Sequence, residues 1–172
     1  MVADGDGALA LLAVLTAEPA LSATARVVFI PRGTVHAAAL QTHHPAQLHL
    51  SPSFAAALPR LQKLLADAHM GTQVYAAGTE GLIGQTLREG VAAGLPHSAL
   101  QTEHRGSLVR RVQCVHCKGI TEDVATDPFS CSHCGLNLFV RDHYSRRIAA
   151  FQGVNIDAED PGHVPASVVR FA

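Results

Sequence analysis

The chain is predicted to be α/β in its larger part, a small parallel sheet with helices, followed by a four-cysteine metal ribbon. Three observations predict this. Apolar runs of strand length alternate with helical patterns between residues 26 and 104. All four cysteines fall into two Cys-x-x-Cys pairs, and basic charge gathers around them. With 172 residues, 48% of them apolar, the chain is long enough to bury a core and too apolar to be disordered.

Residues 1–25 read as an alanine-rich helix or loose arm ending near Pro19. The α/β domain, residues 26–104, opens with Arg26–Ile30 (RVVFI), a short buried-strand pattern closed by Pro31 and Gly33. Residues 47–51 (QLHLS) form a second candidate strand. Ser51-Pro52-Ser53 then signals the start of a helix whose apolar stripe is Leu58, Leu61, Leu64, Leu65 and Ala68, with Pro59 disturbing its first turns and Gly71 ending it. Residues 72–78 make a third strand, Thr79 an N-cap, and residues 80–94 the next helix, stopped by Gly94 and Pro96. Residues 98–104 complete the set as a fourth strand. Strands separated by helices imply parallel neighbours, because a parallel pair needs a crossover.

The ribbon, residues 105–154, starts after Arg105-Gly106, with a strand running from Ser107 into Cys114. Residues 155–172 are assigned as a C-terminal tail. Cys114 and Cys117 form the first pair and Cys131 and Cys134 the second, with 13 residues between them. Two such turns can present four thiolates to one ion at ~2.3 Å, a closed tetrahedral site suited to zinc. Iron is the alternative, since the same four sulfurs carry a one-electron iron site in rubredoxin-like proteins. Those proteins usually show Cys-x-x-Cys-Gly and Cys-Pro-x-Cys-Gly with a longer intervening segment, and this chain departs from both. His116 and His133 lie inside the pairs, where side chains point away from the ion. A segment of this size with few large apolar residues cannot build a sufficient core, and a metal supplies the missing folding energy. A closed four-thiolate shell leaves no position for water or substrate, so the metal is structural, with no catalytic residue and no cofactor-binding residue assigned elsewhere.

The longest early apolar run, Ala8–Leu15, is less than half of the ~20 residues a membrane helix needs, and Asp4 and Asp6 precede it where a secretion signal is basic. A cytoplasmic location is expected, and there paired cysteines bind metal more often than they form disulfides. Net charge is -1 overall, yet residues 105–147 hold 7 Lys/Arg against 4 Asp/Glu. Four thiolates and a divalent ion reduce that excess to a single positive charge, which argues against a nucleic-acid-binding ribbon. No Cys-x-x-Cys-His haem motif is present, because Lys118 and Gly135 follow the pairs, and no spare cysteine remains for an iron-sulfur cluster. Beyond the second pair, Arg141, Asp142, His143, Tyr144, Arg146 and Arg147 crowd into seven positions. Two readings stand: a polar edge strand with ion pairs to its own domain, or a docking surface, where Arg and Tyr are enriched.

Two resemblances follow from these residues. Residues 72–104 resemble the last β-α-β of the nicotinamide-binding half of ferredoxin reductase-like flavoproteins, with Tyr75, Gly78 and Glu103 in matching places. Ala77 and Thr79 replace the Cys and Pro of that family's turn, and after Arg26–Ile30 only Gly33 stands where a Gly-rich phosphate turn is expected. Nicotinamide binding is therefore not expected. The second resemblance rests on the two Cys-x-x-Cys pairs, the run Cys-Gly-x-x-Leu-x-Val-Arg-Asp-His-Tyr-Ser-x-Arg from Cys134, and Ala150-Phe151-x-Gly153-Val154. This pattern is similar to the small DmmA-type subunit of bacterial dimethylamine monooxygenase. That resemblance implies a non-catalytic or regulatory subunit of a multicomponent NADPH- and oxygen-dependent enzyme that oxidatively demethylates dimethylamine. It implies haem in one partner subunit, and FMN and an iron-sulfur cluster in a reductase partner. The other function classes are a rubredoxin-like one-electron carrier and a zinc-ribbon nucleic-acid module.

Overall fold

Val2–Asp4 (β1) is too short to show a periodic pattern, yet it is the middle strand of the first sheet. In the computed structural model, which describes residues 1–33 and 35–172, the chain divides into two units, Met1–Gly106 and Ser107–Ala172. After β1 come Gly7–Ala17 (α1), Arg26–Ile30 (β2), His36–Thr42 (α2), Gln47–Leu50 (β3), Phe54–Ala66 (α3), Val74–Gly78 (β4), Glu80–Ala92 (α4) and Leu100–His104 (β5). The strands form one fully parallel sheet in the order β3-β2-β1-β4-β5. The chain thus leaves β1 toward one edge, returns, and builds the other half outward from β4.

Alternation along β2 explains why both faces need cover. Val27 and Phe29 join Leu11, Leu15 and Leu40 of α1 and α2 in one core cluster, while Val28 and Ile30 join Leu61, Leu65 and Leu82 of α3 and α4 in another. Burial on both faces is what makes β2 read as a continuous apolar run. Within α3 the stripe is as expected from its spacing, with Leu61 and Leu65 buried and Leu58 and Leu64 half-buried, while Ala68, the last residue expected in it, lies beyond the helix end at Ala66. The Ser53 hydroxyl caps α3 by accepting from the Ala56 N–H, and Thr79 caps α4 by accepting from the Leu82 N–H. Pro59 sits inside α3 on its exposed side, where its ring meets solvent.

Two expectations need correction. Of the two readings of residues 1–25, the helix is found as α1 and the loose arm is not, and the unit begins before residue 26: β1 pairs with β2 and β4, and α1 buries Ala8, Ala10, Leu11 and Leu15. It follows that Arg26–Ile30 is the second strand, and a Gly-rich first turn is present, Gly5-Asp6-Gly7-Ala8-Leu9-Ala10 directly after β1. The seven-residue helix α2 carried no signal in the sequence beyond its alanines.

The second unit contains Arg110–Cys114 (β6), Ile120–Val124 (β7), Thr126–Asp127 (β8), Phe129–Ser130 (β9), Asn137–Ser145 (β10), Ala150–Asn155 (β11) and Val168–Val169 (β12). Five strands pair in the order β7-β6-β11-β10-β9, with β6 and β11 parallel and the others antiparallel. Residues 155–172 are part of this unit. Val168 and Val169 pair with β8, the Leu108 N–H donates to the Ala172 carbonyl, and Phe171 is buried with Val112, Val124 and Phe151.

Candidate metal centre

Each cysteine pair is built the same way. In the first, the Cys114 N–H donates to the Gly119 carbonyl and the Lys118 N–H returns to the Cys114 carbonyl, at 2.9 and 3.0 Å. In the second, the Cys131 N–H donates to Leu136 and the Gly135 N–H to Cys131, at the same two distances. The residue after each pair must be left-handed to close such a turn, and Lys118 at φ 63° and Gly135 at φ 74° both are. Lys118 carries the side-chain penalty that Gly135 avoids. Its ammonium donates to the Val115 carbonyl at 2.6 Å, which ties the strained residue to its own turn.

The four sulfurs lie within 4.8 Å of one another, with Cys114–Cys134 at 3.9 Å and Cys117–Cys131 at 3.7 Å. A tetrahedron with metal–sulfur bonds of ~2.3 Å has edges of about 3.8 Å, so the donor set fits one tetrahedral ion and is too wide for disulfides. Burial opposes ionisation of Cys131, but the backbone N–H groups of Cys134 and His133 and the neighbouring thiols outweigh it and bring its pKa down to about 6. Cys134 receives the Leu136 N–H, yet partial loss of hydration and the three neighbouring sulfurs push it up to about 12. Cys114 and Cys131 are buried in the core of this unit, while Cys117 and Cys134 are exposed.

The two histidines within the pairs stay outside this cluster. His133 bonds the Ile120 carbonyl at 2.9 Å, and its ring packs over Gly119, where an added Cβ would lie 2.4 Å away. His116 is exposed.

The run from Arg141 to Arg147 divides between inward and outward roles. Pairing of β10 with β11 shifts between Arg141 and Tyr144, so Asp142 and His143 have no opposing residues and the strand bulges. Tyr144 turns onto Phe151 with ring centroids 5.0 Å apart, and Asp142 accepts from Arg110 at 2.7 Å. The Arg110 guanidinium lies between the Phe151 and Phe171 rings, at 4.1 and 4.3 Å from their centroids. Its hydrogen bond and charge hold the Asp142 carboxyl below the usual range, so this contribution to stability exists above the ordinary carboxylate pKa and fades as pH falls through the lowered value. Arg141, His143, Arg146 and Arg147 remain exposed. Nothing in the sequence around Arg110 marked it as the centre of this stack. We expect Arg110→Ala to destabilise this unit by roughly 2 kcal/mol in chemical denaturation, with Arg110→Lys recovering little, because a compact ammonium cannot stack between two rings.

In the first unit, Tyr75 and Glu103 stand on the same face of β4 and β5, and the Tyr75 hydroxyl donates to the Glu103 carboxylate, which also pairs with Arg105. Burial, then the bond to Glu103, pushes the Tyr75 hydroxyl up to about 12. The pair braces the sheet edge and uses its polar atoms on each other. Among the described residues no helix is long and apolar enough to cross a membrane.

Both units match known families. The N-terminal domain of the dimethylamine monooxygenase subunit DmmA-like family matches residues 1–100, and its C-terminal domain matches residues 111–154. The chain is 32% identical over 101 residues to the heme-dependent oxidative N-demethylase delta subunit of Ectopseudomonas mendocina (strain ymp). That alignment covers 59% of this chain and 58% of the relative. No solved structure matches. With the N-terminal match alone spanning more than half of the residues, and the four-cysteine unit matched separately, the chain belongs to the DmmA-like family of dimethylamine monooxygenase subunits.

Proposed function

We propose that this chain is a small non-catalytic subunit of a multicomponent, NADPH- and oxygen-dependent amine N-demethylase acting on dimethylamine, and that its ribbon holds a structural zinc and docks on partner subunits. Family membership across both units supports the complex, and one observation carries the structural role. Four sulfurs close the shell of the ion, which leaves no coordination position for oxygen, water or an amine. On this reading haem, FMN and the iron-sulfur cluster belong to partners, a haem subunit and a flavin and iron-sulfur reductase, and the work is done in the cytoplasm.

Docking is assigned to Arg141, His143, Arg146 and Arg147, the exposed part of the basic run, with Tyr144 and Asp142 holding the bulge that presents them. Arginines at such surfaces add packing and directional hydrogen bonds. The Arg146→Ala plus Arg147→Ala variant is expected to keep its metal and its melting temperature, since exposed charges alter stability little, while its co-purification with the partner subunits weakens at least tenfold. Unchanged assembly together with unchanged dimethylamine-dependent NADPH oxidation would reject docking through these two arginines. Loss of metal or fold would assign them to internal bracing.

A further inference from the structure

We propose that Asp4 is a built-in anion filling the phosphate position of the crevice between β1 and β4, so that the α/β unit binds no dinucleotide although its sheet order and first turn fit one. In open parallel sheets, ligands bind beyond the carboxyl ends of the strands where the order reverses, here between β1 and β4. The turn Gly5-x-Gly7-x-x-Ala10 has the spacing of a dinucleotide fingerprint and opens α1, so the backbone alone would favour a pyrophosphate. The side chains do not.

Asp4 is 2% exposed, and its carboxylate accepts from the Thr79 N–H at 2.8 Å and the Thr79 hydroxyl at 2.7 Å. The Arg32 guanidinium adds an ion pair at 2.8 Å. These donors, an N–H at the start of α4, a hydroxyl and a guanidinium, are the groups that would receive a phosphate, and Asp4 engages all three. Gly78 makes room for Asp4 itself, since a Cβ there would lie 1.8 Å from Asp4 Oδ1. Gly7 seats α1 against the Ala77 carbonyl, which a Cβ would approach to 2.0 Å. Both glycines are used up by contacts within the unit. Asp6 then adds a second carboxylate at the start of α1, half-exposed and 3.4 Å from His36, where phosphate charge would be repelled. A cleft of about 920 Å³ in this unit opens at the opposite ends of the strands, along Met1, Arg26, Gln73 and Val74.

Calorimetric titration of the full chain with NADPH and with NADH tests this directly. The expected result is binding no tighter than millimolar, and one-to-one binding tighter than that overturns the proposal. The anion position is tested separately with Asp4→Ala. Its thermal midpoint is expected to lie several degrees below that of the unmodified chain, and to recover in inorganic phosphate relative to chloride of equal ionic strength, because the vacated donors then hold a phosphate oxygen. The unmodified chain should show no such recovery. Equal responses of the two proteins to phosphate would contradict an anion position filled by Asp4. Should Asp4→Ala fail to fold, Asp4→Ser, which keeps a hydrogen-bonding side chain and removes the charge, goes through the same comparison of phosphate with chloride, and a response equal to that of the unmodified chain contradicts the filled anion position.

Discussion

Cys131→Ser is expected to strip the metal from the ribbon and unfold residues 107–172. Zinc in small four-ligand domains contributes apparent binding energies of about 10–16 kcal/mol that are also folding energy, and removing one thiolate forfeits a large part of it. The core beneath the site is slight for the work it must do, because Cys114 and Cys131 are themselves two of its buried members beside Val112, Val124, Phe129, Leu138, Val140, Phe151 and Phe171. Cys131 matters twice. Its side chain is buried in that core, and its sulfur lies 3.7 Å from that of Cys117 within the cluster. Hydrogen exchange should show protection lost from residues 107–172, with metal content below one ion per chain. A Cys131→Ser protein that retained stoichiometric metal and full protection would remove the ribbon's dependence on its ion.

Gly7→Ala is expected to destabilise the α/β unit by more than about 3 kcal/mol, enough to remove most of the stability of a small domain. The added methyl would lie 2.0 Å from the Ala77 oxygen, 2.4 Å from its carbonyl carbon and 2.8 Å from the Gly78 Cα. All three are backbone atoms of a central strand, so no side-chain rotation relieves the clash, and the helix must lift off the sheet that buries Leu11 and Leu15. Gly71→Ala is the matching control. Gly71 has φ +89° and nothing within 4 Å of its would-be Cβ, so only the left-handed backbone penalty of roughly 1 kcal/mol applies. Urea denaturation of both variants separates close packing from backbone conformation. Similar losses at Gly7 and Gly71 would show that α1 does not depend on its close approach to β4.

The four-cysteine cluster was legible because its pattern is written in spacing: two Cys-x-x-Cys pairs need no knowledge of the core. The strands β2 to β5 were legible, and so was the alternation from β3 onward, where strands of four or five residues are framed by capping residues and glycines, but α2 between β2 and β3 was not. β1 escaped because three residues give no period, and a strand buried on both faces shows no polar alternation. The glycine spacing from Gly5 to Ala10 was the available signal, and reading Arg26–Ile30 as the first strand concealed it. The role of the C-terminal residues was not legible either. Val168 and Val169 form a two-residue strand, and Phe171 acquires meaning only when Arg110, 61 positions earlier in the sequence, stacks on it. Tyr144 and Asp142 looked equivalent to their basic neighbours until the bulge in β10 turned one onto Phe151 and tied the other to Arg110.

Metal analysis of the purified chain by mass spectrometry, with an optical spectrum of the same sample, tests the proposal of a structural zinc most directly. One zinc per chain and no visible absorption band are the predicted result, since a closed four-thiolate zinc site is colourless and takes no electrons. One iron per chain, with a visible thiolate-to-iron band and a reversible one-electron couple, would contradict it and make the ribbon an electron carrier.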